Sequence, residues 1–226
     1  MTSITEQFQR IKRVVPEYVT IVLASKTRTV DEVREAIRAG VTDIGENYVQ
    51  EAEEMYVALG DDAQRVRWHL IGHLQKNKIN RALDIFDVIQ TVDSVIKAQA
   101  IDRRAEKKQK IVSVFIEINI GSEWSKSGLK PKYRHIKELV EAIYQMQHLR
   151  LSGLMTMGAR VGDPEDNRQE FKQTRVFFDQ IRDLMLPRTN VKYLSMGMSN
   201  SYSVAIEEGS NMIRLGTIVF GSRCER

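Results

Sequence analysis

Apolar positions in this chain fall into short, nearly continuous blocks, separated by longer stretches in which they recur every three or four residues. The two patterns alternate from end to end. The short blocks predict strands, several of them buried on both faces, over residues 19–25, 42–44, 66–71, 88–92, 111–120, 149–155, 191–195 and 212–215. The longer stretches predict helices over 30–39, 48–59, 76–83, 94–107, 131–147, 164–184 and about 201–208, and an amphipathic leader over about 4–14 precedes the first strand. Eight βα units with right-handed crossovers close naturally into a barrel, although an open doubly wound sheet satisfies the same order. No Pro/Gly/Ser linker or low-complexity stretch divides the chain. Its 226 residues are close to the roughly 250 of one closed barrel. The expected fold is therefore an α/β single-domain (β/α)8 TIM barrel spanning 1–226.

Composition changes this picture little. Hydrophobic residues make up 42% and charged residues 28%, enough for a real core and too little bias for a disordered or fibrous chain. Lys plus Arg total 34 against 30 for Asp plus Glu, a net charge of +4 that argues only weakly for nucleic acid. The densest basic segment, RRAEKKQK at 103–110, ends a predicted helix, where cations complement the helix dipole and stay solvated. Cys224 is the single cysteine, so neither an intrachain disulfide nor a cysteine cluster for zinc is available, and a reducing, cytoplasmic setting is expected. The N-terminal MTSITEQFQRIKRVV carries charges throughout and does not read as a signal peptide. No run approaches the roughly 18 apolar residues of a membrane span.

In a barrel of this kind chemistry is expected where strands stop, at their C-terminal ends. Lys26 ends the run VTIVLAS, which puts its stem at the barrel mouth. Two polar, glycine-containing turns follow the seventh and eighth predicted strands: Ser195-Met196-Gly197-Met198-Ser199-Asn200-Ser201 and Arg214-Leu215-Gly216-Thr217. Barrels commonly build a phosphate site there from backbone N–H groups and small hydroxyls. Ordinary turns use the same residues, so neither turn is specific alone. Neither G-x-G-x-x-G nor G-x-x-x-x-G-K-[ST] occurs, which favours a lone phosphate over a di- or triphosphate. A lysine opposite a monophosphate site suggests an aldehyde cofactor. Pyridoxal 5′-phosphate needs a lysine for its Schiff base, a phosphate cup and a partner for its ring nitrogen, and Arg214 would stand beside the cup. Because arginine does not give up its proton, it would leave that nitrogen unprotonated. An ion pair between Arg214 and a nearby carboxylate is the alternative at this spacing.

His69 and His73, in WHLIGH, are too far apart along a strand to share a metal, and no Glu or Cys completes a ligand set. His69 reads as a core or barrel-lining residue and His73 as a polar residue at the mouth. Met155, Met157, Met196 and Met198 lie near the mouth and could wall a flat ring.

At this point the segments ASKT (24–27), IGENYVQEA (44–52), WHLIGHLQKNK (68–78), VDS (92–94), EIN with SKSG (117–128), GLMTM (153–157), LSMGMS (194–199) and IRLGTIVFG (213–221) resemble, in order and over nearly the whole chain, the YggS/PROSC pyridoxal phosphate homeostasis family. The resemblance implies a monomeric fold-type-III barrel akin to the alanine racemase N-terminal domain, with the cofactor held as a Schiff base on Lys26. It further implies that Asn47 approaches the cofactor near Lys26, that Arg214 faces the ring nitrogen, and that Ser195, Ser199, Gly216 and Thr217 surround the phosphate. Similar proteins commonly carry an Asp two residues after the MGMS serine and another acid further on. Here MGMSNSYS has Ser201 and Ser203. That change removes negative charge near an anion site and is expected to leave cofactor binding intact.

Three readings follow. The first is a cofactor-binding protein of vitamin B6 supply, not an enzyme, that takes up pyridoxal phosphate and passes it to dependent apoenzymes; the chain ends soon after the last predicted strand, without the β domain that racemases of this fold type add. The second is a small pyridoxal-phosphate enzyme such as an amino-acid racemase, for which Tyr48, Tyr202 and His73 are the candidates for a second acid. The third is an interaction or nucleic-acid-binding scaffold, supported only by the mild positive charge. Lys126, in SKSG, could touch an anion at the rim but reads as a solvated loop residue.

Overall fold

A computed structural model describes residues 3–121, 127–158, 162–184, 186 and 190–221. Its strands are β1 (Thr20–Ala24), β2 (Asp43–Glu46), β3 (Arg67–Leu70), β4 (Val88–Val92), β5 (Val112–Ile118), β6 (Leu149–Thr156), β7 (Tyr193–Ser195) and β8 (Met212–Leu215). Its helices are α1 (Ile4–Val14), α2 (Val30–Arg38), α3 (Val49–Leu59), α4 (Ile79–Ile85), α5 (Val95–Lys107), α6 (Tyr133–Gln145), α7 (Arg168–Arg182), α8 (Tyr202–Glu207) and α9 (Thr217–Phe220). The strands pair in chain order and all in parallel, and β8 returns to β1 with Thr20 opposite Met212 and Leu23 opposite Leu215. That last pairing closes the barrel and eliminates the open sheet left standing by periodicity.

Local chemistry sets the helix starts. Ser3 caps α1 and Thr29 caps α2, each in a capping box with the glutamate three residues on, Glu6 and Glu32. Ser94 caps α5 through the Lys97 amide. The main core lies between strands and helices, where Leu23, Ile44, Trp68, Leu83, Ile101 and Phe171 are essentially inaccessible. Trp68 keeps its indole N–H satisfied by donating to the Ala63 carbonyl at 2.9 Å. The barrel interior holds a smaller apolar group, Val22, Val88, Phe115, Met155 and Met212. The remaining interior space is polar, which shapes everything that follows.

Three details depart from the sequence expectation. The second strand runs on through Gly45 to Glu46, because the Glu46 side chain is buried rather than solvated. The helix expected from 76 starts as a 3-10 turn at Lys76–Lys78 and becomes α-helical at Ile79. TIVF after the last strand, for which no element is expected, is a short helix. Cys224 and Lys126 lie outside the described residues. Among the described residues no helix is long and apolar enough to cross a membrane.

Candidate functional site

A cavity of about 480 Å³ opens at the C-terminal mouth of the barrel, and its lining includes Lys26, Asn47, Met157, Ser199, Arg214 and Thr217. Gly216, Met198 and Asn200 complete the β7 and β8 side of the wall, and Ala24 and Ile71 also line it. Six of the seven residues expected at the site therefore meet in one place, although they come from four separate segments of the chain. Ser195 does not line the cavity. It is fully buried at the end of β7, where its hydroxyl accepts from Arg214 Nη1 at 2.6 Å and donates to Gln90 Oε1 at 2.7 Å. Both lone pair and proton being engaged there, it is placed to orient Arg214 rather than to face a phosphate.

Lys26 sits in a tight turn. The Arg28 amide donates to the Ser25 carbonyl at 3.0 Å, and Thr27 takes φ 64°. A β-branched residue in the left-handed region is strained, and such strain persists only where the surroundings impose it. Those surroundings are explicit: the Arg28 guanidinium reaches the Gly221 carbonyl at 2.6 Å and lies over the Phe220 ring, tying the lysine turn to α9.

The β7 loop is anchored with equal care. Gly197 has φ 92°, and a Cβ built on it would stand 2.6 Å from Ala205 Cβ and 3.0 Å from Tyr202 Cα, so only glycine lets α8 pack this closely. Its carbonyl accepts from the Arg214 amide at 3.1 Å, stitching the loop to β8. Ser201 Oγ accepts from the Met198 amide at 3.3 Å. Ser201 thus closes the loop itself, while Ser203 is exposed. Ser199 Oγ accepts from the amides of Gly216 and Ile218 at 3.1 and 3.5 Å. The hydroxyl thus ties the β7 loop to the turn after β8 at the cavity wall.

Arg214 is 5% exposed, and its Nη2 donates to the Thr156 carbonyl at 2.7 Å. Burial pushes its pKa down to about 10, against the attraction of Glu117, so it remains a cation at neutral pH. The alternative of a simple ion pair is not what the geometry offers: Arg214 bonds to neutral oxygens, and Glu117 acts on it electrostatically.

Two buried carboxyls escaped the sequence reading. Glu46, the residue before Asn47, accepts from Ser25 Oγ at 2.5 Å while its Oε2 has no partner. Burial pushes its pKa up to about 7, against the Ser25 hydrogen bond. Glu117, on β5, also has an unpartnered Oε2, and burial together with Asp93 pushes it up to about 7. For Glu117 the signal was a single acid inside an otherwise apolar block, VFIEI, whereas Glu46 stands in DIGE beside a second acid, Asp43. His69 is inside the barrel, bonded at both ring nitrogens, and so is no metal ligand. His73 is exposed beyond β3, outside the cavity lining. Of the four methionines, Met157 and Met198 wall the cavity, whereas Met155 and Met196 are fully buried.

The alanine racemase N-terminal domain family matches residues 1–224. The pyridoxal phosphate homeostasis protein of Pasteurella multocida is 37% identical over 222 residues, 98% of this chain and 93% of that protein. That of Aquifex aeolicus is 38% identical over 202 residues, 88% and 85% of the two chains. PipY of Synechococcus elongatus, solved with pyridoxal phosphate bound, superimposes with a TM-score of 0.87 at 30% identity, covering 97% of this chain and all of that one. An alanine racemase of Clostridium difficile shares the fold at 15% identity, with a TM-score of 0.82 over 99% of this chain and 60% of the racemase. The chain therefore belongs to the pyridoxal phosphate homeostasis protein family, built on the alanine racemase N-terminal domain.

Proposed function

We propose that this protein binds pyridoxal 5′-phosphate as a Schiff base on Lys26 and serves the supply of that cofactor in the cell without turning over a substrate. The observation that carries the reading is the convergence, on one cavity of about 480 Å³, of a lysine, a buried arginine and a wall of small hydroxyls and backbone amides. The residues fit the group. Lys26 would hold the aldehyde carbon, Asn47 would approach it from the β2 side, and Arg214 would face the ring nitrogen. Ser199, Gly216 and Thr217 would surround the phosphate, with Ser195 acting from behind through Arg214. When bound, the cofactor supplies a reactive carbonyl and an electron-accepting ring. A permanently charged arginine at the ring nitrogen keeps that ring a weaker electron sink than an aspartate partner would.

The non-catalytic part of the proposal is supported by the relatives' name and by the cavity wall. Of Tyr48, Tyr202 and His73, the candidates for a second acid, none lines the cavity. The whole chain 1–226 acts as one cofactor-binding unit, a cytoplasmic monomer whose recipients are pyridoxal-phosphate-dependent apoenzymes, with no nucleic-acid or membrane partner. Adding pyridoxal phosphate to purified protein is expected to produce a visible absorption band that Lys26→Ala lacks. Incubating the loaded protein with a panel of amino acids in deuterated water is expected to leave their α-protons unexchanged. Rapid, stoichiometric exchange of any one amino acid would refute the non-catalytic reading.

A further inference from the structure

Five polar side chains from five strands cross the barrel interior in one unbroken line. Arg214 on β8 donates to Ser195 Oγ on β7 at 2.6 Å, and Ser195 donates to Gln90 Oε1 on β4 at 2.7 Å. Gln90 Nε2 lies 2.9 Å from His69 Nδ1 on β3, and His69 Nε2 lies 2.8 Å from Asp43 Oδ1 on β2. Every one of them is at most 5% exposed.

The line has a direction. Arginine can only donate, so Ser195 accepts from it and sends its own proton to an acceptor, which must be the Gln90 oxygen. That fixes the amide: its NH₂ faces His69 Nδ1, which must then be unprotonated. The remaining imidazole proton sits on Nε2 and points at Asp43. Burial pushes the His69 pKa down, outweighing Asp43, so the ring is neutral as this requires. Burial tends to raise Asp43, but the hydrogen bond from His69, with Thr42 and Arg67, holds it below the usual carboxylate range. The far end is thus an anion, paired with Arg67 at 3.1 Å. Reversing any single link would set donor against donor or acceptor against acceptor.

The middle of the line stands beside an irregularity in β4. The β4–β5 register shifts between Ile89 and Val92, where Gln90 and Thr91 together oppose Phe115. Gln90 faces the barrel interior in phase with Val88, and beyond it the Thr91 hydroxyl donates to the Gly72 carbonyl at 2.9 Å. An apolar filling of equal volume would stabilise a barrel at least as well as this buried polar chain. What the chain supplies instead is one fixed orientation for a buried cation.

Building on the proposed function, we infer that Gln90, His69 and Asp43 are positioning residues that, through Ser195, hold the Arg214 guanidinium against the ring nitrogen of pyridoxal phosphate. Gln90→Leu keeps the volume and removes the central link. Ser195→Ala removes the link next to Arg214 with almost no change in shape, and is the arm to read if Gln90→Leu does not fold. The probe is pyridoxal phosphate ¹⁵N-labelled at the ring nitrogen, bound to the full chain, with its affinity and its ring-nitrogen resonance followed across pH. In either variant the affinity is expected to fall about tenfold or more, as for a hydrogen bond to a charged group. The ring nitrogen is also expected to take up its proton about one pH unit or more higher than in the wild type, because a fixed neighbouring cation opposes that proton. A loss of stability alone would not move this titration. Wild-type protein that binds the cofactor, with a variant whose ring-nitrogen titration matches it, would overturn the positioning role. Wild-type protein that fails to bind would instead overturn the proposed function, and the positioning role with it.

Discussion

Glu46→Gln offers a quantitative test of the buried mouth. The wild-type carboxyl is 1% exposed, bonded to Ser25 through one oxygen and to nothing through the other. Its pKa is raised from 4.5 to about 7. At about 1.4 kcal/mol for each tenfold change in proton affinity, that difference amounts to about 3 kcal/mol. The folded chain binds more protons than the unfolded chain between these two values, so stability falls as pH rises through the window. The contribution is full below pH 4.5, drains away between 4.5 and 7, and is absent above. Glutamine preserves the shape and an acceptor for Ser25 but cannot ionise. Urea unfolding of both proteins at pH 5 and pH 8 should therefore show the variant gaining about 2–3 kcal/mol relative to wild type on going to the higher pH. Glu117, raised similarly, titrates in both proteins and cancels in the comparison. If the stability difference between variant and wild type is the same at both pH values to within about 0.5 kcal/mol, Glu46 is not held protonated by burial and the reasoning fails.

Two backbone substitutions address the loops on either side of the cavity. Gly197→Ala would force a left-handed conformation at about 1–2 kcal/mol and overpack α8 at about 1–3 kcal/mol. Its thermal midpoint should fall by roughly 4–20 °C, with weaker pyridoxal phosphate binding, whereas a midpoint within about 2 °C of wild type would show that the loop relaxes freely. Thr27→Gly relieves the strain beside Lys26, and after the greater freedom of the unfolded chain is allowed for, it should stabilise by about 0.5–1 kcal/mol. Calorimetry should then record a gain of about 1–4 °C, and a loss would mean that the Thr27 side chain contributes more than its backbone costs.

Some strands were legible to the residue. The block VIQTV at 88–92 and MIRL at 212–215 coincide with β4 and β8, because both are bounded by polar residues that water must reach. Closure was not legible, since it depends on β8 meeting β1 across nearly the whole chain and leaves no local trace. Lys26, Arg214 and the two turns could be read as a site because they fall where apolar blocks stop. The interior relay could not be read. Gln90 and His69 each sit alone inside an apolar block, and only the barrel brings them within hydrogen-bond reach of partners 21 and 105 residues away in the chain. Ser195 was misplaced for a related reason: sequence order puts it in the β7 turn, but the pleat aims its side chain inward at Arg214.

The attachment of pyridoxal phosphate to Lys26 is tested most directly by borohydride reduction of the loaded protein, followed by digestion and mass analysis of the peptides. The account predicts one reduced pyridoxyl adduct per chain, on the peptide that contains Lys26 and located at that residue. An adduct spread over surface lysines with Lys26 unmodified, or no adduct at all from protein given excess cofactor, would contradict it.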